Sequence, residues 1–159
     1  MNPALIFLMA NAMQNEEKVK GRHTDLFQSV DMIGHSGGKL KFKIECDALS
    51  TNEWDCLAEI IYDNEPRNFG EVVGIPRGGL PLAHALEGYA TGKEEDPILI
   101  VDDVLTTGGS MNTFQSDYFR NRDPRRGYFG WVVFSRIPLE HSSNDWISSI
   151  FMMPHTRKQ

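Results

Sequence analysis

Ile98-Leu-Ile-Val-Asp-Asp-Val-Leu-Thr-Thr-Gly-Gly-Ser110 decides how this chain is read. Ile98 to Val101 is an unbroken apolar run rich in β-branched residues. Such a run suits a strand buried on both faces of a parallel sheet. Asp102 and Asp103 follow at once, then Thr106, Thr107, Gly108, Gly109 and Ser110. Met111, Phe114 and Tyr118 come next at helical spacing. The order is strand, acidic pair, hydroxylated turn, helix. The turn would then lie at a helix N-terminus, where unpaired N–H groups and the positive end of the dipole suit a phosphate. The two carboxylates would repel that phosphate. They suit the hydroxyls of a pentose, or a magnesium ion held through water. One loop would thus grip both ends of a sugar phosphate. A plain strand, surface turn and helix cap would account for Ile98–Val101 and Ser110. It would leave the adjacent acids and the Thr-Thr-Gly-Gly run without a reason.

The flanking segments extend the pattern. Val72 to Ile75 reads as a strand, Pro76-Arg-Gly-Gly79 as a tight turn and Leu80 to Tyr89 as a helix. Tyr128 to Phe134 reads as a further buried strand. Strand, helix, strand, helix, strand with right-handed crossovers makes an α/β fold: a three-layer parallel sheet with helices on both faces. Ligands of such sheets bind beyond the carboxyl ends of the strands. The turn at Pro76–Gly79, the loop Asp102–Ser110 and Arg136 all fall there. Gly78 and Gly79 would let the backbone approach a ligand closely. Arg77 offers a fork of donors for phosphate oxygens.

Upstream, Ser50 and Glu53 form a capping box. Trp54, Leu57, Ala58 and Ile61 mark the buried face of a helix that stops before Pro66. Lys39 to Ile44 alternates lysine with apolar residues, the period of a half-buried strand. Its three lysines, Lys39, Lys41 and Lys43, either form a solvated face guarding an edge or meet substrate anions. Arg136 to Asn144 reads as loop, and Ile147 to Met153 as a last, edge strand.

With 159 residues the chain is one domain by length, 1–35 being an N-terminal extension and 136–159 a C-terminal segment. A net charge of −6 argues against non-specific nucleic-acid binding. Cys46 and Cys56 are too few for a disulfide framework or a zinc site, so reduced thiols in a cytoplasm are expected. Pro3 to Met13 is apolar but lacks a preceding basic region and is too short to span a bilayer. It is expected to dock on the core or to serve self-association; a signal peptide is the other reading.

The stretch from Ile98 to Ser110 resembles the phosphoribosyl-pyrophosphate (PRPP) signature of the type I phosphoribosyltransferases. Within them, Ser36, Gly37, Lys39 and Phe42 are similar to the N-terminal pattern of the orotate enzymes. The resemblance implies transfer of 5-phosphoribose from PRPP to a nucleobase, an orotate-like pyrimidine as the first guess, with release of pyrophosphate. It implies that Asp102 and Asp103 act on the ribose as catalytic carboxylates, and that Thr106, Thr107, Gly108, Gly109 and Ser110 hold the 5′-phosphate. Arg77, Gly78 and Gly79 would hold pyrophosphate, in a loop that often carries a cis peptide bond without proline. Lys39, Phe42 and Arg136 would serve the base side. Mg2+, bound through water near the two aspartates, and a homodimer are further expectations, with neither nucleic acid nor membrane as partner. One departure counts against turnover: the family inserts a strand and a closing loop where this chain has only the eight residues Ala90–Pro97. A non-catalytic PRPP- or nucleotide-binding module is therefore the alternative. A receiver-type signalling domain also begins with an apolar strand and two acids, but too little chain follows Asp103 to complete one.

Overall fold

The computed structural model describes residues 25–33, 39–120, 122, 125–139 and 143–153. It divides after Ala48 into two compact units. Ser36, Gly37 and the apolar run 3–13 lie outside the described residues, as do the side chains of Lys39 and Lys41.

The described residues of the first unit form a hairpin. Strand β1 (Phe27–Ile33) pairs antiparallel with β2 (Lys39–Ile44), with an irregularity between Ser29 and Met32. A single 3-10 turn, Cys46–Ala48, follows. The alternation read from sequence is present where side chains are described: Lys43 is exposed and Ile44 is buried. Lys43 is ion-paired with Glu45, which places it on the solvated side of the two readings.

The second unit is a four-stranded parallel sheet. Its strands are β3 (Glu71–Gly74), β4 (Ile98–Leu105), β5 (Tyr128–Ser135) and β6 (Ile147–Met152), in the order β3-β4-β5-β6. Helices α1 (Thr51–Asn64), α2 (Leu80–Leu86) and α3 (Gly109–Phe119) complete it. The capping box opens α1 as expected: Ser50 Oγ accepts from Glu53 N at 3.3 Å, and the Glu53 carboxylate accepts from Ser50 N at 2.7 Å. Helix α2 stops at Leu86 and tightens into a 3-10 turn over Glu87–Tyr89, where one longer helix was expected. Strand β4 runs on past its apolar part, through both acids, to Leu105. The backbone of that extension pairs with β5, Asp102 opposite Val132 and Leu105 opposite Ser135. Ladder hydrogen bonds thus carry the strand beyond the point where side-chain composition signals its end.

Alternate strand residues serve two cores. Val73, Ile75, Ile98, Ile100, Val132 and Ile147 cluster with Met111 on one face, beneath Phe114 and Tyr118 of α3. The other face belongs to α1 and α2. There Gly74 lies against Ala83, Phe69 meets Phe129 edge-on, and Trp131 Nε1 donates to the Glu65 carboxylate at 2.8 Å. Helices on both faces give the three layers expected.

The hand of the connections differs from expectation. Each strand stands beside its neighbour in sequence, so β3–α2–β4 and β4–α3–β5 advance across the sheet in the same direction. Their helices lie on opposite faces, so the two crossovers have opposite hands. They cannot both be right-handed. The β5–β6 connection packs Ile137, Leu139 and Trp146 on the α3 side and shares the hand of β4–α3–β5. The odd one is β3–α2–β4. Its cause is the short connector after α2. Thr91 N donates to Phe69 O and Gly92 N to Gly70 O, so the chain passes the start of β3 and goes straight into β4. A strand beyond β3 would restore the usual hand, and eight residues cannot supply one.

Candidate active site

Because α2 and α3 leave the sheet on opposite sides, the loops after β3 and β4 part and open a crevice at the carboxyl ends of these strands. Strand β4 brings the acidic pair there. Asp102 is buried and Asp103 half-buried. Asp102 Oδ1 accepts from Asp103 N at 2.9 Å, and Asp103 Oδ1 accepts from Val104 N at 2.7 Å. Burial, and then the charge of Asp103, push the Asp102 carboxyl up to about 7.

The turn after β3 is folded tightly onto this pair. A Cβ on Gly78 would stand 2.4 Å from Asp103 Oδ1, and one on Gly79 would stand 2.3 Å from Val101 O. Both glycines therefore serve the packing of the turn against β4, a role the sequence reading assigned to ligand approach. The Pro76–Arg77 peptide is cis, as the resemblance implied, and Arg77 is exposed. Two separate segments, the Arg77 turn and the acidic pair, thus come together.

The loop beyond the acids runs along the same crevice. Thr106, Thr107, Gly109 and Ser110 are exposed and Gly108 is buried. Gly108 has φ +82° and opens α3 without a side-chain cap. Asn112 N and Nδ2 both donate to its carbonyl, at 2.9 and 3.0 Å. The amides of Ser110 and Met111, in the first helical turn, have no intrahelical acceptor and point out of the N-terminus. An open cleft of about 830 Å3 adjoins the loop, lined by Ile75, Pro76, Gly109, Ser110, Thr113 and Phe114, among others.

Arg136 follows β5 directly. Its N–H donates to Leu105 O at 2.9 Å, its side chain is buried, and that burial pulls its guanidinium below the usual range. It is therefore no surface arginine. Lys39 and Phe42 belong to the hairpin of the first unit.

Three solved structures share this arrangement of elements. The orotate phosphoribosyltransferase of Aeropyrum pernix superposes with a TM-score of 0.62 at 17% identity, over 80% of this chain and 89% of that one. That of Mycobacterium tuberculosis H37Rv, in complex with inorganic phosphate, gives 0.59 at 16% identity over 77% and 85%. A phosphoribosyltransferase of Corynebacterium diphtheriae gives 0.58 at 15% identity over 72% and 84%. The fold is that of the type I phosphoribosyltransferases. No protein-family model matches the sequence, and no curated protein does.

Within this phosphoribosyltransferase fold, no group of three or more metal-ligating side chains occurs among the described residues. Asp102 and Asp103 form a pair only. Their donor set fits a cation held mainly by substrate oxygens and water, and does not fit a protein-built cage. No helix among the described residues is long and apolar enough to cross a membrane.

Sequence reasoning missed one part of the site, the buried Asn144 beside Gly108. A Cβ on Gly108 would stand 2.1 Å from Asn144 Oδ1. The residue lies in what reads as a featureless polar loop, and only the pairing of β5 with β6 brings it to α3.

Proposed function

We propose that the chain binds PRPP in this crevice and transfers its 5-phosphoribosyl group to a nucleobase, releasing pyrophosphate. The observation that carries the reading is the Asp103 carboxylate against Gly78. An acidic pair lies between an arginine-bearing turn and a helix N-terminus, which suits a pentose carrying an anion at each end. A base nitrogen attacks C1 of the ribose, and the C1–O bond breaks with its electron pair leaving on pyrophosphate. Positive charge develops on the ribose ring, and Asp102 and Asp103 favour it while holding the hydroxyls. The loop Thr106–Ser110 holds the 5′-phosphate through first-turn amides. Arg77 faces the leaving group. Mg2+, held through water by Asp102 and Asp103, would neutralise pyrophosphate charge.

Arg136 is proposed for the base side, an orotate-like pyrimidine for the base and a homodimer for the assembly. The exposed thiol of Cys56 suits a reducing cytoplasm. The eight-residue connector supports a second reading, a PRPP-binding module without turnover, because no segment there can close over the substrate. The test is incubation with PRPP, Mg2+ and a panel of bases. Pyrophosphate release that requires a base is the expected result. Tight binding with no release selects the module, and no binding at millimolar PRPP sinks both.

A further inference from the structure

We infer that Asn144 is a positioning residue for the phosphate loop, its buried carboxamide fixing Gly108 and thereby the aim of the first amides of α3. The inference rests on the phosphate-binding role proposed for that loop. Four contacts carry it. Trp146 Nε1 donates to Asn112 Oδ1 at 3.1 Å. An indole N–H only donates, so it settles which end of the Asn112 amide is oxygen. Asn112 Nδ2 is then left to donate, and it does so to Gly108 O at 3.0 Å and to Asn144 Oδ1 at 2.7 Å. The Asn144 carboxamide closes the ring by filling the space where a side chain on Gly108 would stand.

The turn bearing Asn144 and Trp146 is itself pinned to the sheet. Ile147 N donates to Asn144 O at 3.0 Å, and Gly130 N donates to Trp146 O at 2.9 Å. The loop is thus tied through side chains to a connection more than thirty residues downstream. Gly108 adopts φ +82°, a conformation glycine leaves at little cost. Something other than its own chemistry must select it. A rotation there would swing the amides of Ser110 and Met111 away from any shared target, and the Asn144 amide stands in the way of that rotation.

The test uses two anions that the proposed site separates. Ribose 5-phosphate needs the loop, whereas pyrophosphate needs the Arg77 turn. Titration of the full-length protein with each, with Mg2+ present, should show Asn144→Ala weakening ribose 5-phosphate about tenfold, the scale of one lost buried hydrogen bond. Pyrophosphate affinity should be unchanged. Asn112→Ala should give the same pattern and serves if Asn144→Ala does not fold. Amide hydrogen exchange of Thr107 to Asn112, without ligand, should quicken in either variant. Equal weakening of both anions, no weakening of either, or unchanged exchange would overturn the assignment. Wild-type protein that binds neither anion would instead overturn the phosphate reading, while the exchange comparison still decides whether Asn144 holds the loop.

Discussion

Asp102 combines burial with a like-charged neighbour, and both raise its proton affinity. An unfolded aspartate titrates near pH ~4. The folded state therefore holds a proton that the unfolded state gives up between about pH 4 and 7. The resulting stability is fully present below the lower value and is lost as pH rises through the upper. Asp102→Asn removes this dependence. Its thermal midpoint at about pH 8 should exceed that of the wild type, with a flatter slope between about pH 5 and 8; a steeper slope would refute the assignment. Gly108→Ala meets two obstacles, a positive φ and the Asn144 amide at 2.1 Å. It should lower stability by at least ~1 kcal/mol in chemical denaturation. At this scale the acids, hydroxyls and glycines of the loop were legible, because their order along the chain is their order in the crevice. The partners of Gly78 and Asn144 were not, since both contacts depend on how separate strands register.

Single elements show how local signals and tertiary contacts divide the work. The start of α1 was written in Ser50 and Glu53. Ser50→Ala should cost ~1 kcal/mol, read as a lower thermal midpoint. The end of α1 has a different support. Burial pushes the Glu65 carboxyl up, but hydrogen bonds from Arg67 and from the Trp131 indole outweigh it and leave the group below its ordinary range. The stability this contributes is present above the unfolded carboxyl value and lost as pH falls. Trp131→Phe should therefore cost ~1–3 kcal/mol near neutral pH, with a smaller loss in acid. Equal losses at both pH values would place the effect in ring packing alone. Nothing local announced this bond, because 66 residues separate its partners. The far end of β4 was illegible for a related reason. Two carboxylates look like the close of a strand, and only the facing backbone of β5 keeps it going.

For the whole molecule, the layers could be read from the order of elements, but the hand of the first crossover could not. A sequence records which element follows which and says nothing of the side of the sheet on which a helix settles. The short connector was visible, and its topological result emerges only in three dimensions. It also leaves the crevice without a covering segment of its own in that connector. PRPP with Mg2+ should still stabilise the fold, by ~2.7 kcal/mol at about a hundred times its dissociation constant, seen as a rise in thermal midpoint.

The sequential strand order has a bearing on synthesis. Strands leave the ribosome in the order in which they stand in the sheet, so each new one meets an edge already made. The loop at Thr106–Ser110 emerges before β5 and β6, yet the amide that steadies it belongs to the connection between those strands. A nascent chain halted before Asn144 would carry every acid and hydroxyl of the crevice and still lack the clasp at Gly108.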